Sequence, residues 1–298
     1  MSPMDSAFLS ARRARRARRD RCPGVLRPWQ AEDGLLVRLR LIGGRLPTES
    51  LTALTAVAER HGDGRVHVTG RANLQIRALP SNQGRLGSAV LDAVEATGLL
   101  PSRTHELVRN VMVSPRTGVK GGRADLGPVA AELDRLLCAE PCLAGLPARF
   151  LFVLDDGRGD LITRTCDLGL VALDDGTAQL RVGDGWGARV PLSEAAPALT
   201  GLARRFMDAR GIGPTAPWHV VELPEPLGES AAPDPGLPSP EPPLPPGPLP
   251  EGGRHVPVPE SGLGSEDVAR LVEEAHAAGA TELTVTPWRG VIVPGAAA

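Results

Sequence analysis

Val66-His67-Val68-Thr69-Gly70-Arg71-Ala72-Asn73-Leu74-Gln75-Ile76-Arg77 reads as two short strands joined by a tight turn. Successive side chains of a strand point to opposite faces, so period-two alternation sorts this stretch. Val66, Val68, Leu74 and Ile76 share one parity and form a core face, while Thr69, Arg71, Asn73, Gln75 and Arg77 share the other. A strand at 34–42 precedes it, with Val37, Leu39 and Leu41 on one side and Arg38 and Arg40 on the opposite one. Between the strands lies a helix, opened by Thr48 as N-cap and stopped at Gly62. With a further helix at 84–97, the order β-α-β-β-α is a ferredoxin-like half.

The C-terminal piece repeats this pattern. Setting Leu46 on Leu263 aligns Glu49 with Glu266, Leu54 with Leu271, Gly62 with Gly279 and Val68-Thr69 with Val285-Thr286, without gaps. Ser265 takes the N-cap place of Thr48, and Gly279 the stop of Gly62. One such unit leaves a sheet face and an edge uncovered, so two copies gain by packing together. Between the copies lies a second α+β region, with a helix near 128–139, the strand Arg149–Leu154, a hairpin turning at Asp174-Asp175-Gly176 and a helix at 193–210. The prolines of 223–255 forbid a helix or a central strand, so that segment reads as an extended, semi-rigid linker. The chain divides into a disordered basic tail (1–21), a first half-domain (22–104), the α+β domain (105–222), the linker (223–255) and a short second half-domain (256–298).

With 298 residues, a hydrophobic fraction of 42% and a formal charge of -2, the chain has the composition of an ordinary globular protein. No apolar run approaches a membrane span, and the expected location is the cytoplasm. Lys120 is the only lysine, so the abundance of arginine reflects a coding bias and only its placement is informative. The cluster Arg12-Arg13-Ala14-Arg15-Arg16-Ala17-Arg18-Arg19 would neutralise phosphates as a nucleic-acid arm. A solvated tail, or a start assigned too early, fits it better. Asp20-Arg21-Cys22-Pro23 is too polar to continue a twin-arginine signal. Four cysteines stand at 22, 138, 142 and 166 without a framework. Cys138 and Cys142 have a metal-like spacing, but two ligands make no closed site, and filler cysteines are the simpler reading.

A sheet face of arginines and amides suits a planar ligand with many carboxylates, because guanidinium forks pair bidentately with carboxylate. A solvated face in an arginine-biased chain explains the residues equally well. RNA binding is a weaker reading, since sheet RNA binders stack bases on aromatic rings and this face has none. Arg109-Asn110 stands between Val108 and Val111 in a segment that a core strand alone would not need. His105 and Glu106 could form an acid/base pair. Asp155-Asp156-Gly157-Arg158-Gly159-Asp160 looks like a divalent-ion loop but lacks the further acids of a calcium site, so an acidic surface turn is expected.

Cys22-Pro23-Gly24, Arg38-Leu39-Arg40-Leu41-Ile42-Gly43-Gly44, Thr69-Gly70-Arg71, Arg109-Asn110-Val111, Leu146-Pro147-Ala148-Arg149-Phe150 and Thr286-Pro287-Trp288-Arg289-Gly290 follow in the order seen in precorrin-3B synthases. The chain resembles that branch of the sirohaem-dependent nitrite/sulfite reductases over about 22–222 and 256–295. The resemblance implies duplicated ferredoxin-like half-domains around a sirohaem-reductase-type α+β domain. It implies oxygen-dependent hydroxylation of the tetrapyrrole precorrin-3A, in cobalamin biosynthesis. It places Arg40, Arg71 and Arg109 around the tetrapyrrole. With the polar face, this makes Arg38, Arg40, Arg71, Asn73, Gln75, Arg77, Arg109, Asn110, Arg149 and Arg289 the candidate binders of its carboxylates; no catalytic residue and no metal ligand is singled out. The oxyanion reductases of the superfamily carry lysines where this chain has Arg149 and Leu151, which points away from sulfite or nitrite reduction. The family also holds a [4Fe-4S] cluster and iron, with Cys-x5-Cys and Cys-x3-Cys pairs after the second half's turn, where this sequence has none. The expectation is a truncated or split enzyme, whose cluster domain a separate polypeptide would supply and whose electron donor is unknown. The alternatives are a non-catalytic tetrapyrrole-binding protein and a reductase fragment.

Overall fold

A computed structural model describes residues 22–119 and 121–296; the basic tail expected over 1–21 lies outside them. The chain runs β1 (Trp29–Ala31), β2 (Gly34–Leu39), β3 (Arg45–Pro47), α1 (Thr48–His61), β4 (His67–Val68), β5 (Leu74–Leu79) and α2 (Ser88–Ala96). Then come β6 (Val111–Val113), α3 (Gly127–Ala139), β7 (Phe152–Asp155), β8 (Leu168–Ala172), β9 (Thr177–Val182), β10 (Gly185–Pro191) and α4 (Leu192–Arg210). The chain closes with β11 (Gly247–Pro248), β12 (Gly253–Pro257), α5 (Ser265–Ala277), β13 (Glu282–Thr286) and β14 (Gly290–Pro294). The fold is α+β, and the described residues form three sheets, ordered β1-β2-β5-β4, β11-β12-β14-β13-β3 and β10-β9-β8-β7-β6.

The repeat seen in the sequence is built into the first two sheets. β3 leaves its own half and pairs with β13 of the other, Leu46 opposite Leu283. Leu263 reciprocally bridges Val66. These are the same contact in the register that sets Leu46 on Leu263, so each copy covers an edge of its sister. The turns match as well. Ala72 and Arg289, equivalent in that register, have φ of 54° and 55°. Thr69 Oγ1 accepts from the Asn73 N–H at 3.1 Å, and Thr286 Oγ1 from the Gly290 N–H at 3.2 Å. Leu51 and Leu54 of α1, Leu74 and Ile76 of β5, Val268 and Leu271 of α5, and Val285 and Val291 of the second half fill one common core. Gly62 caps the end of α1, where a Cβ would stand 2.4 Å from the Arg77 carbonyl oxygen and glycine alone fits.

In the third sheet β6, β7 and β8 are parallel, and β8, β9 and β10 antiparallel. One face packs Phe150, Phe152, Leu168 and Leu170 against Leu133 of α3 and Leu199 and Phe206 of α4. On another side, Met112, Leu151, Val153, Leu161 and Cys166 form a small apolar layer that Trp288 packs against.

Several boundaries differ from the sequence reading. Thr48 and Ser265 are the first helical residues rather than caps, and neither preceding residue, Pro47 or Gly264, is a Ser, Thr, Asp or Asn. The helix expected at 84–97 begins only at Ser88, because Asn82 and Arg85 close a turn with Gln83 at φ 52°. Arg149 precedes β7 in a turn closed by Phe150 N–H to the Pro147 carbonyl. The proline-rich segment is extended, as its prolines dictate, but it is bonded along the central domain. Gln179 donates to the Ala232 carbonyl at 2.8 Å and accepts from the Asp234 N–H at 2.8 Å, and the Glu241 N–H reaches the Gly159 carbonyl at 3.0 Å. The acidic run at 155–160 is no surface turn either: Asp155 and Asp156 are fully buried, and Asp155 accepts from the N–H groups of Gly157, Gly159 and Leu161.

Candidate functional site

Arg38 on β2 pairs with Gln75 on β5, and Gln75 with His67 on β4, so one rung of the first sheet carries three polar side chains. Turning the Gln75 amide so that its oxygen faces Arg38 gives contacts of 3.2 Å to Nε and 2.8 Å to Nη2. Arg77 lies two residues on and meets Asp33 at 3.3 Å. Arg71 enters from the Thr69–Asn73 turn, and Arg289 from the equivalent turn of the second half. These residues line a cleft of about 430 Å³, with Val258, Pro259 and Glu260 opposite. Arg71 Nη1 donates to the Arg149 carbonyl at 3.1 Å, which sets Arg149 at the rim. Burial pushes the Arg38 guanidinium below its ordinary pKa; Cys22 opposes this, while the nearby Arg71 and Arg149 add to it. Such crowding of like charges favours an anion in the cleft, since each added negative group relieves repulsion.

The remaining candidates lie elsewhere. Asn73 shares parity with Arg71 and Gln75 in the sequence, yet it is 1% exposed. Ala72, with its positive φ, breaks the alternation two residues before β5 begins. Asn73 Oδ1 accepts from the Leu41 N–H at 2.9 Å. Arg40 follows the end of β2 and is 3% exposed; it donates to Asn110 Oδ1 at 3.0 Å and to the carbonyls of Pro23 and Glu106. Burial holds its pKa down at about 10, with Arg38 adding to that effect. Asn110 donates to the Ala148 carbonyl at 2.9 Å, so Arg40, Asn73 and Asn110 knit the first half to the central domain. Arg109 forms a bidentate pair with Asp134 at 2.6 and 2.8 Å. His105 and Glu106 are no acid/base pair: Glu106 accepts from the N–H groups of Val25 and Leu26, whereas His105 Nε2 meets the Glu140 carbonyl at 3.1 Å.

A larger cavity, about 940 Å³, opens between the halves and α3 and is lined in part by Arg40, Arg45, Arg109 and Arg116. Three of those guanidinium groups already meet carboxylates, of Glu282, Asp134 and Glu251. Arg40, the fourth, meets the Asn110 amide and two backbone carbonyls; in the smaller cleft Arg77 meets Asp33 and Arg289 lies 4.0 Å from Glu260.

Residues 29–83 match the family model of the nitrite/sulfite reductase ferredoxin-like half domain. That stretch carries Arg38, Arg71, Gln75 and Arg77. The chain is also 35% identical over 144 residues to a precorrin-3B synthase of Sinorhizobium sp, a match covering 47% of this chain and 29% of that protein. In fold it is similar to the NirA protein of Mycobacterium tuberculosis, with a TM-score of 0.68 and 17% identity over 91% of this chain and 59% of that one. The chain thus spans less than two thirds of either relative. The half domain's polar rung is the floor of the arginine cleft, and the central domain supplies the rim.

Cys22 and Cys138 are partly buried, Cys142 is exposed and Cys166 is buried. Among the described residues, the only group of three or more His, Cys, Asp or Glu with ligand atoms close together is Asp155, Asp156 and Asp160, which contains no sulfur. No described helix is long and apolar enough to cross a membrane. Sequence reasoning missed Asp134, Asp167, Trp218 and His219, each brought to its partner from at least 16 residues away in the chain by the fold alone.

Proposed function

We propose that this chain is the tetrapyrrole-binding part of a precorrin-3B synthase-like oxidoreductase of cobalamin biosynthesis, with the arginine cleft taking the carboxylate-bearing edge of the macrocycle. The observation that carries this reading is the convergence of Arg38, Arg71, Arg77 and Arg289 on one cleft, with Arg149 at its rim. Guanidinium groups bind carboxylates through paired N–H donors, and a ring bearing several acetates and propionates can engage several of them at once. The cleft is smaller than a whole macrocycle and would hold an edge of it. The 35% identity to a precorrin-3B synthase supports a precorrin rather than another polyanion as ligand. Leu151, buried in the apolar layer, offers no cation for a sulfite or nitrite, which speaks against the oxyanion-reductase reading.

The scattered thiols favour a division of labour, in which a separate polypeptide holds the cluster and this chain presents the substrate. They equally favour the second reading, a tetrapyrrole carrier without catalysis. Titration of the purified chain with an octacarboxylate porphyrin tests the common part. The proposal expects binding that weakens about ten-fold in Arg38→Ala and Arg71→Ala, in line with the loss of one charge-assisted contact. Affinity unchanged in both variants would sink it. Turnover of precorrin-3A on addition of a cluster-bearing partner, and none without it, would select the enzyme over the carrier.

A further inference from the structure

Arg149 is exposed and belongs to a turn, so neither a strand nor a carboxylate fixes its side chain; among the described residues no acidic group pairs with it. Its guanidinium carbon instead lies 5.6 Å from the centroid of the Trp218 ring. Trp218 comes from the segment after α4, far away in sequence. One buried carboxylate brings the two together. Asp167, 3% exposed, accepts from the Leu151 N–H at 2.9 Å, two residues beyond Arg149. It also accepts from the Val220 N–H at 3.0 Å, two residues beyond Trp218, and meets His219 Nδ1 at 3.1 Å. Glu222 holds the same segment from its other end, accepting from the Trp218 N–H at 2.7 Å.

We propose that Asp167 and Trp218 are positioning residues of the arginine cleft, which hold Arg149 at its rim to take a carboxylate of the ligand. This inference rests on the reading of the cleft as a polycarboxylate site. Its physical basis is the choice of partner. A carboxylate beside Arg149 would order the side chain but would also consume its N–H donors and its charge. An indole face orders the guanidinium by attraction to the ring quadrupole and leaves its edge donors free. The side-chain entropy of a surface arginine is thereby lost on folding rather than on binding, which strengthens binding without an added contact. A carboxylate that only stabilised the fold would have no need to bring an aromatic ring under an otherwise unpaired arginine.

The test is a double-mutant cycle on the full chain, titrated with an octacarboxylate porphyrin. Trp218→Leu should weaken binding about two- to five-fold, the worth of an exposed cation–π contact. In an Arg149→Ala background the same change should cost nothing more, and Trp218→Phe should bind as the wild type does. Asp167→Asn, which keeps the shape, should weaken binding in the same Arg149-dependent manner. An effect of Trp218→Leu that is undiminished by Arg149→Ala, or no effect at all, overturns the inference. If Trp218→Leu does not fold, the emission of Trp218, isolated as wild type minus Trp218→Phe, is followed during titration with mellitate, a planar hexacarboxylate. A change that saturates supports the inference, and a flat response overturns it. Arg38→Ala and Arg71→Ala separate the two levels: if they abolish binding while Trp218→Leu does not weaken it, this inference alone falls. If they bind as the wild type does, the cleft reading falls with it.

Discussion

Arg109 grips Asp134 through two hydrogen bonds, whereas Arg149 lies over an indole and keeps its charge available. In the sequence both are arginines beside apolar neighbours, and nothing local tells them apart. Arg109→Ala is therefore expected to lower stability by about 2–4 kcal/mol in chemical denaturation, because it strands a half-buried carboxylate. Its affinity for an octacarboxylate porphyrin should stay close to that of the wild type. Asp160 carries a pH dependence of its own. Burial pushes it up to about 7, with Ser114 opposing as a hydrogen-bond donor and Asp155 and Asp156 adding to the rise. Its folded-state pKa lies above the unfolded one, so the folded chain holds the extra proton, and stability falls as pH rises from about 4 to 7. Asp160→Asn should thus raise the thermal midpoint more at pH 8 than at pH 5. A gain of equal size at both would contradict the assignment.

At the scale of elements, the repeat was legible because it depends on local signals. Helix period, glycine stop and strand alternation recur in one register, and Leu46 against Leu283 with Leu263 against Val66 is that register made into contacts. The alternation placed Val66, Val68, Leu74 and Ile76 in the core, where they are. It failed at Asn73 and Arg40, each adjoining a strand end, where a turn residue or the end of pairing resets the parity. The proline-rich segment shows the other limit. Its backbone geometry is local and was legible, but its attachment is not, since Gln179, which anchors it, lies more than 50 residues away. Gln179→Ala removes three hydrogen bonds, two of them to this strap. It is expected to cost roughly 1–3 kcal/mol and to speed limited proteolysis within 230–241. Cleavage there at the wild-type rate would contradict the anchoring role.

In the molecule as a whole, two cavities compete for a ligand, and charge decides between them. The larger one has Arg45, Arg109 and Arg116 matched by Glu282, Asp134 and Glu251; the smaller one has Arg77 beside Asp33 and Arg289 near Glu260, but it also crowds Arg38, Arg71 and Arg149 together. Five of the ten residues singled out from the sequence, Arg38, Arg71, Gln75, Arg77 and Arg289, meet in that smaller cleft, and Arg149 stands at its rim. Arg40, Asn73, Arg109 and Asn110 instead join the domains or pair with an acid, because burial of a polar side chain depends on elements distant in sequence. The most direct measurement is a crystal structure of the chain with an octacarboxylate porphyrin bound. The account predicts ring carboxylates on Arg38 and Arg71, with the edge of the macrocycle between the Thr69–Asn73 turn and Arg289. A porphyrin seated instead in the larger cavity beside Arg109 and Arg116 would contradict it.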